Sequence, residues 1–533
     1  MRHRGPIALR FLLLLAAGCL WIASGQTIAV GLNAKTTRAV PVAFFGYNDQ
    51  SAPSLNREDP NLLNAIAKVQ AKVIRFPGGQ NGNYWDWQTG LTIGNYDTGI
   101  NLGTNPYPRL LPSLLQQMAL MHSTPIFMLN VLTDPECKPP AGGLCQYMPS
   151  SPNLNYQLQM LQAAAALGIE VKYVELGNEY YLETGVNTGP GYTLVYPDPV
   201  TSSDPPAGTV YARLATQWIA AIKKQFPHAL VAAVGATQQT GSGRRGIWNQ
   251  SLFPALVGAD AITMHTYIRT TVPQGTTVFD DTAAKTMLAT SFSNWASIEQ
   301  DIAKLPAGVP VWFTEFNLGD ETEPVWGTWA HGLLTATMAM LFLEDTHVVL
   351  MAKHDLVSDA VFGEIFSATN GLATTEGGKY TPAANPPPTT QWGRTVQNVT
   401  LDEIATAAAS STQAEELSFP GAPTLSGGGT SYPALYGWSF QAGSARRVVV
   451  LNLSNQPLTI NVSALGLAGA AYDQITGAPF TYVTGGLSGS PTNLTEKTGT
   501  LAGNSSTLPG YSITRIGAPS SHQPAKGRSL RRP

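Results

Sequence analysis

The sequence feature that most constrains the fold is a pair of mostly apolar segments, each of which ends in an acidic residue. The first segment, VKYVELGNEY, spans residues 171–180 and has Asn178 and Glu179 directly after a glycine. The second segment, VPVWFTEFN, spans residues 309–317 and contains the lone carboxylate Glu315. Both have the pattern of buried parallel strands, whose carboxyl ends face the ligand-binding edge of an α/β sheet. The pattern therefore predicts two carboxylates at one rim.

The length and charge of the chain limit the classes of protein to which it can belong. With 533 residues it is too long for one ordinary core, whereas a barrel of roughly 250 residues or more plus a smaller domain fits. Only 12% of the residues are charged and the net charge is −3, so neither nucleic acid nor anionic lipid is an expected partner. No cluster of histidines or aspartates suggests a catalytic metal, and no cofactor is predicted.

Residues 1–25 have the pattern of a secretion signal, in which arginines precede an apolar run and small residues follow it. The run is too short for a membrane span, so the protein is predicted to be secreted, periplasmic or on the cell surface. Lipid attachment at Cys19 stays open as an alternative. Cys137 and Cys145 lie close together in an exported chain, which favours a disulfide, and two free thiols are the alternative.

The order of apolar and amphipathic segments predicts an α/β fold, a (β/α)8 TIM barrel with an additional all-β sandwich domain. The barrel is expected over residues 43–411, where apolar strands alternate with helical patterns. Residues 412–516 change to short alternating strands with turn residues between them, as in an antiparallel sandwich. Residues 26–42 are expected to form a strand outside the barrel, and the polar residues 517–533 are expected to be disordered.

Two of these motifs resemble a known family. ELGNE, which ends at Glu179, and WFTEF, which contains Glu315, resemble strands four and seven of the retaining glycoside hydrolases of clan A, which have a (β/α)8 barrel. The resemblance implies that Glu179 is the general acid/base, that Glu315 is the nucleophile and that Asn178 donates a hydrogen bond to the sugar 2-hydroxyl. One carboxyl group must protonate the leaving oxygen while the other attacks the anomeric carbon. In relatives with an accessory sandwich, a leading strand such as residues 26–42 joins the C-terminal domain.

Two further segments resemble the same enzymes. KVIRFPGG resembles strand two, where Arg75 is implied to hydrogen-bond the nucleophile and help to keep it ionised. AITMHTY resembles strand six, where His265 is implied to contact the substrate or the acid/base and Tyr267 to donate its hydroxyl to the nucleophile. The alternatives are a structural ion pair for Arg75 and a core histidine for His265.

Other aromatic and polar residues are expected near the catalytic rim. Trp85 and Trp87 follow strand two, and they either form a platform for the apolar faces of a sugar or pack in the core. Asn130 follows the predicted third strand. Lys353 and His354 stand at the end of strand eight, where the family commonly has a tryptophan, which leaves the details of the sugar subsite open.

These motifs together predict a secreted retaining glycoside hydrolase that cleaves a poly- or oligosaccharide by double displacement. The combination of motifs and the terminal sandwich look most like the heparanase and β-glucuronidase family, followed by the α-L-arabinofuranosidase and the β-xylosidase or glucosidase types. A uronic acid needs a cation for its carboxylate, and Lys353, His354 or Arg269 is a candidate unless it is paired structurally. A carbohydrate-binding protein without turnover is the alternative from another class.

Overall fold

The computed structural model describes residues 27–49, 58–79, 82–83, 85–92, 108–131, 145–146, 151–182, 192–193, 207–237, 244–270, 280–319, 325–358, 363, 365–367, 392–427, 429–481 and 493–517. Its larger part is a closed barrel of eight parallel strands. In chain order the strands are β1 (Phe45–Asn48), β2 (Val73–Phe76), β3 (Thr124–Met128), β4 (Tyr173–Glu175), β5 (Leu230–Val234), β6 (Ala261–Ile268), β7 (Val311–Leu318) and β8 (Val348–His354). Each strand pairs with its neighbour in sequence, and β8 closes the ring against β1. The barrel predicted from the sequence is confirmed.

Helices follow the strands and cover the outside of the barrel. They are α1 (Pro60–Ile66), α2 (Leu111–Met121), α3 (Ser151–Ala166), α4 (Ala207–Gln225), α5 (Arg244–Leu252), α6 (Asp281–Leu288), α7 (Thr290–Ile302), α8 (Trp329–Leu341) and α9 (Val396–Ala408). Side-chain oxygens cap several N-termini: Asp59 accepts from the backbone N–H of Asn61, and Asp280 does so for Ala283. The loops contain three small sheets. Two have two strands, Trp85–Asp86 with Leu91–Thr92 and Cys145–Gln146 with Tyr192–Thr193, and one has three strands, Val357–Ser358, Ile365–Ser367 and Trp392–Arg394.

Side chains pack the inside of the barrel in layers. Apolar residues from all eight strands or their immediate flanks fill the lower layer, and they are Ala43, Val73, Ile126, Tyr173, Ala232, Ala261, Trp312 and Leu350. Because successive side chains alternate between the two faces of a strand, Arg75 and Glu175 lie above this layer, two positions beyond Val73 and Tyr173. An apolar floor therefore supports a polar layer nearer the carboxyl ends of the strands.

Strand β4 is shorter than the apolar pattern of residues 171–180 suggests. It ends at Glu175, and Gly177 and Glu179 then adopt positive φ angles of 97° and 47°. A strand does not continue through such angles, so the chain turns sharply at this point. A side chain at Gly177 would have its Cβ 2.0 Å from the Tyr180 hydroxyl, which explains why this position needs glycine.

The C-terminal part of the described chain is a sandwich of two sheets. The larger sheet contains Gly31–Leu32, Arg38–Ala39, Gln413–Ser418, Leu435–Ala442, Ala445–Asn452, Ala471–Thr476, Thr495–Thr500 and Ser512–Gly517. The smaller sheet contains Ile28–Ala29, Leu458–Asn461 and Ser505–Leu508, and a separate hairpin joins Thr424–Gly427 to Thr430–Pro433. Residues of both sheets, such as Val448 and Ile460, form one apolar core. The predicted all-β domain is confirmed, and strands of the leading segment pair with strands of both sheets.

Buried polar contacts join the sandwich to the barrel. Helix α8 is buried on all sides, and the indole N–H of its first residue, Trp329, donates to the backbone carbonyl of Tyr511 at 2.6 Å. Glu344, which follows this helix, accepts hydrogen bonds from the Tyr436 hydroxyl at 2.8 Å and the Trp295 indole at 2.9 Å. The two domains are thus connected through specific acceptors as well as apolar packing.

Several sequence predictions fall outside the described residues. They concern the signal at residues 1–25, Cys137 with the side chain of Cys145, and all but the first residue of the tail at residues 517–533. Among the helices that the structure describes, none has both the length and the apolar character needed to cross a bilayer.

Candidate active site

Glu315, the predicted nucleophile, contacts side chains from three other strands of the barrel. Its Oε1 lies 2.6 Å from Arg75 Nη1 on β2, and its Oε2 accepts a hydrogen bond of 2.5 Å from the Tyr267 hydroxyl on β6. Asn48, at the end of β1, donates a longer bond of 3.4 Å to Oε1. Only 5% of the Glu315 side chain is exposed, so both oxygens depend on protein donors.

The donors around Glu315 favour its ionised form. Burial alone would raise the pKa of this carboxyl group, because a charge is poorly solvated inside a protein. The opposing contributions are larger and lower the pKa to about 2; they come from His265, His354, Arg75 and the Tyr267 hydroxyl. The residue is therefore an anion at neutral pH, as direct attack on a carbon atom requires.

Arg75 joins Glu315 to a second buried carboxylate, Glu175. Its Nε and Nη2 donate to the two oxygens of Glu175 at 2.5 and 3.1 Å, while Nη1 donates to Glu315. Nη2 also donates to Asn178 Oδ1 at 2.9 Å. Burial opposes the charge of this guanidinium, but Glu175 and Glu315 outweigh it and raise the pKa of Arg75 above its ordinary value. One fixed cation thus orients three side chains on two segments.

Glu179 lies in the turn after β4 and belongs to the same cluster of polar side chains as Glu315 and Arg75. The backbone of the turn is held by Asn83, which accepts from the Asn178 N–H and donates to the Asn178 carbonyl, both at 2.9 Å. Glu179 Oε1 accepts a hydrogen bond of 2.8 Å from the Tyr181 hydroxyl. Its side chain is 20% exposed, compared with 5% for Glu315, so Glu179 is the more accessible of the two carboxyl groups.

His265 stands between the two carboxyl groups. Its Nδ1 lies 3.0 Å from Glu179 Oε1 and 3.5 Å from Glu315 Oε2, and its Nε2 lies 3.0 Å from Thr314 Oγ1. The Nδ1 contact with Glu179 is within hydrogen-bonding distance and favours a proton on Nδ1, although its angle lies outside the ideal range, whereas the longer contact with Glu315 is one of charge. Burial disfavours the imidazolium form, but the charges of Glu315 and Glu179 outweigh it and raise the pKa of His265 above its ordinary value.

The two residues predicted at the end of β8 face different sides of the barrel wall. His354 lies on the Glu315 side, with Nδ1 3.7 Å from Glu315 Oε2 and in a short hydrogen bond with Asn48 Nδ2. Burial lowers the pKa of His354 to about 4 despite the pull of Glu315, so the ring is neutral at pH 7. Lys353 is fully buried and lines a small cavity on the outer face, beside Leu401 of helix α9.

The predicted aromatic and amide residues contact groups other than the carboxyl pair. Trp85 is buried and packs edge-on against Phe76, with ring centroids 5.1 Å apart. Trp87 is half-buried, and its ring lies 5.5 Å from that of Tyr156. Asn130 is buried two residues beyond β3, where its carbonyl accepts a hydrogen bond of 3.0 Å from Asn153. The packing of Trp85 leaves no exposed face for a sugar.

Sequence reasoning missed several members of this group, and they are Asn48, Asn83, Glu175, Tyr181 and Thr314. Asn83, Glu175, Tyr181 and Thr314 lie in or beside segments that the motifs mark, and Asn48 ends β1. All of them except Tyr181 meet partners from other segments. Glu175 carried a usable signal, since a carboxylate inside a strand that is covered on both faces needs a cationic partner. Arg75 at the end of another predicted strand was the available cation.

The fold, a parallel eight-stranded barrel with a sheet domain, is shared with solved glycoside hydrolases. A family 51 α-L-arabinofuranosidase from Bifidobacterium longum matches with a TM-score of 0.63 at 15% identity, over 92% of this chain and 99% of that chain. The family 51 enzyme from Thermotoga petrophila matches with a TM-score of 0.62 at 15% identity, over 92% and 100%.

A 4-O-α-L-rhamnosyl-β-D-glucuronidase from Fusarium oxysporum also shares the fold. It matches with a TM-score of 0.55 at 13% identity, over 92% of this chain and 100% of that chain. Neither the scan against protein-family models nor the search of curated proteins found a match. The solved structures therefore establish a shared fold across nearly the whole length of the chain.

Proposed function

We propose that the protein is a retaining glycoside hydrolase, with Glu315 as the nucleophile and Glu179 as the general acid/base. The observation that carries this proposal is the position of His265 between them. Since its Nδ1 lies 3.0 Å from Glu179 Oε1 and 3.5 Å from Glu315 Oε2, these oxygens are at most the sum of both distances apart, about 6.5 Å. Retaining enzymes separate their carboxyl groups by ~5–5.5 Å, and inverting enzymes by ~6.5–9.5 Å to admit a water. This upper limit, which holds for one pair of oxygens, lies at the lower end of the inverting range, so the spacing is compatible with direct attack and the stereochemistry of the product decides between the two mechanisms.

In the first step, Glu315 attacks the anomeric carbon and forms a glycosyl ester. The bond to the leaving oxygen breaks with its electron pair on that oxygen, which takes a proton from Glu179. Arg75 and Tyr267 hold the Glu315 oxygens in a fixed orientation, so little reorganisation is needed when the anion attacks. The greater exposure of Glu179 suits a group that meets an outgoing alcohol.

In the second step, water replaces the alcohol and attacks the same carbon. Glu179 now accepts a proton from the water, and Glu315 leaves as a carboxylate. Two inversions at one carbon restore the original configuration. Asn178, held by Arg75 through its side-chain oxygen, keeps its amide N–H2 available as a donor to the sugar 2-hydroxyl.

We propose an α-L-arabinofuranoside as the first substrate to test, and a β-D-glucuronide as the second. A glucuronide carboxylate calls for a cation at the site. Lys353 lies on the outer face of the barrel, His354 is neutral at pH 7, and Arg269 is exposed beyond the end of β6. The positions of Lys353 and His354 favour an uncharged sugar, whereas Arg269, just beyond the carboxyl end of β6, keeps the glucuronide as the second candidate. The family 51 arabinofuranosidases with the same fold support the first choice, and the rhamnosyl-glucuronidase supports the second.

The test is a panel of 4-nitrophenyl glycosides that includes α-L-arabinofuranoside, β-D-glucuronide and β-D-xyloside. With the best substrate, Glu315→Gln should lower kcat by roughly three or more orders of magnitude, because the nucleophile is lost. Glu179→Ala should regain turnover in azide, a nucleophile that needs no general base, and should release a glycosyl azide. Glu170→Gln, at an exposed position just before β4, is the matched control and should keep wild-type kinetics.

Proton NMR of the first-formed sugar identifies the stereochemistry. Retention is expected, and initial release of the inverted anomer would refute the assignment of Glu315 as nucleophile. Absence of turnover on every glycoside, combined with measurable binding of oligosaccharides, would instead favour the carbohydrate-binding alternative.

We also propose that the protein is exported, because residues 1–25 have the pattern of a cleaved signal. Expression of the full chain in a secreting host, followed by N-terminal sequencing, tests this. Recovery of the protein only inside the cell with residues 1–25 intact would contradict it.

A further inference from the structure

Four polar side chains form a continuous chain of contacts inside the barrel, from Arg75 to His265. Arg75 donates to both oxygens of Glu175. Thr314, which precedes Glu315 in β7, has its hydroxyl oxygen 2.9 Å from Glu175 Oε1 and 3.0 Å from His265 Nε2. All four side chains are buried, with at most 4% of any residue exposed, so water does not offer substitute partners.

The number of protons on these four side chains fixes the direction of each hydrogen bond between them. Within the described part of the chain, every polar contact of Glu175 is with a donor, so this carboxylate accepts from Thr314. A hydroxyl group has one proton, and Thr314 uses it for Glu175. Toward His265 the Thr314 oxygen can then only accept a hydrogen bond. His265 Nε2 must therefore carry the hydrogen that is donated to Thr314.

This direction determines what His265 presents to the carboxyl pair. A neutral imidazole with hydrogen on Nε2 has a lone pair on Nδ1. That lone pair would lie 3.0 Å from Glu179 Oε1 and 3.5 Å from Glu315 Oε2, all of them electron-rich atoms. A proton between Nδ1 and Glu179 removes the repulsion.

We propose that Glu175 and Thr314 are positioning residues that fix the Nε2–H form of His265, so that His265 Nδ1 and Glu179 share the proton delivered to the leaving group. The inference rests on the function proposed above, since it assigns a source to the proton of the general acid. Before catalysis the proton resides on Nδ1, and His265 is an imidazolium between two carboxylates. When a glycosidic oxygen approaches Glu179, the proton passes to that carboxylate and His265 becomes neutral.

The steps balance in protons and electrons. Glu179 transfers the proton to the leaving oxygen as the bond to the anomeric carbon breaks and the bond to Glu315 forms. In the second step the attacking water gives one proton to Glu179, and this proton returns to His265 Nδ1. Each turnover therefore begins and ends with one proton on the Glu179–His265 pair.

The charged groups around His265 come from several strands. Glu315 and Glu179 favour the imidazolium, whereas burial and the positive charge of Arg75 oppose it. The neutral ring of His354 and the Tyr267 hydroxyl also face the carboxyl pair. Glu175 acts on His265 through Thr314, whose oxygen accepts the Nε2 hydrogen. Loss of that acceptor is expected to destabilise the imidazolium.

The first experiment measures the His265 ring without a substrate. The full chain is labelled with 15N-histidine, and the His265 signals are assigned by their absence from His265→Gln. At pH 7 the wild-type ring should show hydrogen on both nitrogens. In Thr314→Val, which keeps the shape of the side chain and removes the hydroxyl, the ring should be neutral with hydrogen on Nδ1. Thr314→Ser, which keeps the hydroxyl, should retain the wild-type signals.

The second experiment records kcat/KM against pH with the best glycoside. The basic limb reports loss of the essential proton from the free enzyme. In Thr314→Val this limb should move to lower pH by roughly one to two pH units, the effect of removing one hydrogen bond from a charged group. Thr314→Ser should return the limb to its wild-type position. A fall in rate with an unmoved limb in both variants would mean a merely structural role and overturn the proposal.

The two experiments separate this inference from the proposed function. A wild-type His265 ring that carries hydrogen only on Nδ1 overturns the inference, whatever the enzyme hydrolyses. A doubly protonated ring that becomes neutral in Thr314→Val supports it, even if no glycoside is cleaved and the proposed function fails.

Discussion

The hydroxyl of Tyr267 provides the sharpest test of how the barrel keeps Glu315 ionised. It donates a hydrogen bond of 2.5 Å to Glu315 Oε2, and this bond is one of the contributions that lower the pKa of the carboxyl group to about 2. Tyr267→Phe removes the donor and keeps the ring. The ionised carboxylate loses a bond, whereas the protonated form loses little, so the pKa of Glu315 must rise.

The size of the rise follows from the energy of one charged hydrogen bond. Such a bond contributes about 1.5–3 kcal/mol, and about 1.4 kcal/mol corresponds to one pKa unit. The acidic limb should therefore move up by roughly one to two pH units, from about 2 to roughly 3–4. At pH 3 the ionised fraction of Glu315 falls from roughly nine-tenths to between roughly a half and a tenth.

The assay is the initial rate of glycoside hydrolysis after a jump from pH 6 to each test pH. Each profile is divided by its own plateau, so that a rate loss from a displaced nucleophile cancels. Recovery of full activity in an aliquot returned to pH 6 excludes irreversible unfolding, and far-UV circular dichroism at each test pH shows that the protein is folded there. The acidic limb of kcat/KM then reports the free-enzyme groups that titrate below pH 6, which are Glu315 and its neighbour His354, and the displacement between the variants is assigned to Glu315.

Tyr181→Phe is the matched control, because its hydroxyl donates to Glu179 at 2.8 Å and not to Glu315. The acidic limb of this variant should stay where the wild-type limb lies. Equal displacement in both variants, or none in Tyr267→Phe, would refute the assignment of the limb to Glu315 and of Tyr267 to its ionisation.

Two further buried titratable groups, Arg75 in the site and Glu344 between the domains, give expected outcomes for stability. Arg75→Met leaves two buried carboxylates without their cation and should lower the free energy of unfolding, measured with urea, by about 3–5 kcal/mol. Lys223→Met, which breaks a partly exposed ion pair, is the control and should lower it by about 1 kcal/mol or less. Burial, partly offset by hydrogen bonds, raises the pKa of Glu344 to about 7, so the native state binds this proton more tightly than the unfolded chain and stability falls as pH rises from about 4.5 to about 7. Between pH 5 and pH 8 the free energy of unfolding, measured with urea, should fall less in Glu344→Gln than in the wild type, by an amount on the order of 2–3 kcal/mol. Glu496→Gln, at an exposed position, is the control and should keep the wild-type fall. An equal fall in the two variants would contradict the prediction.

The strands and their order were predictable because local pattern decides them. A short apolar run between turn residues forms a buried strand whichever strands lie beside it. The segments around Arg75, His265 and Glu315 are accordingly strands β2, β6 and β7. Strand ends were less predictable. Gly177 stops β4 early through its positive φ angle, and periodicity carries no information about that turn.

By itself the sequence determined that carboxylates would lie near the carboxyl ends of two buried strands of an α/β barrel, since strand direction puts these ends at one rim. Only the tertiary structure decided which side chains meet there. Lys353 and His354 are neighbours in the chain, yet alternation along β8 sends them to opposite faces, so one lines an outer cavity and the other approaches Glu315. Likewise Glu175 gains its role from Arg75 on β2, two strands away, because a charge buried in a protein takes its partner from whichever strand brings an opposite charge within reach.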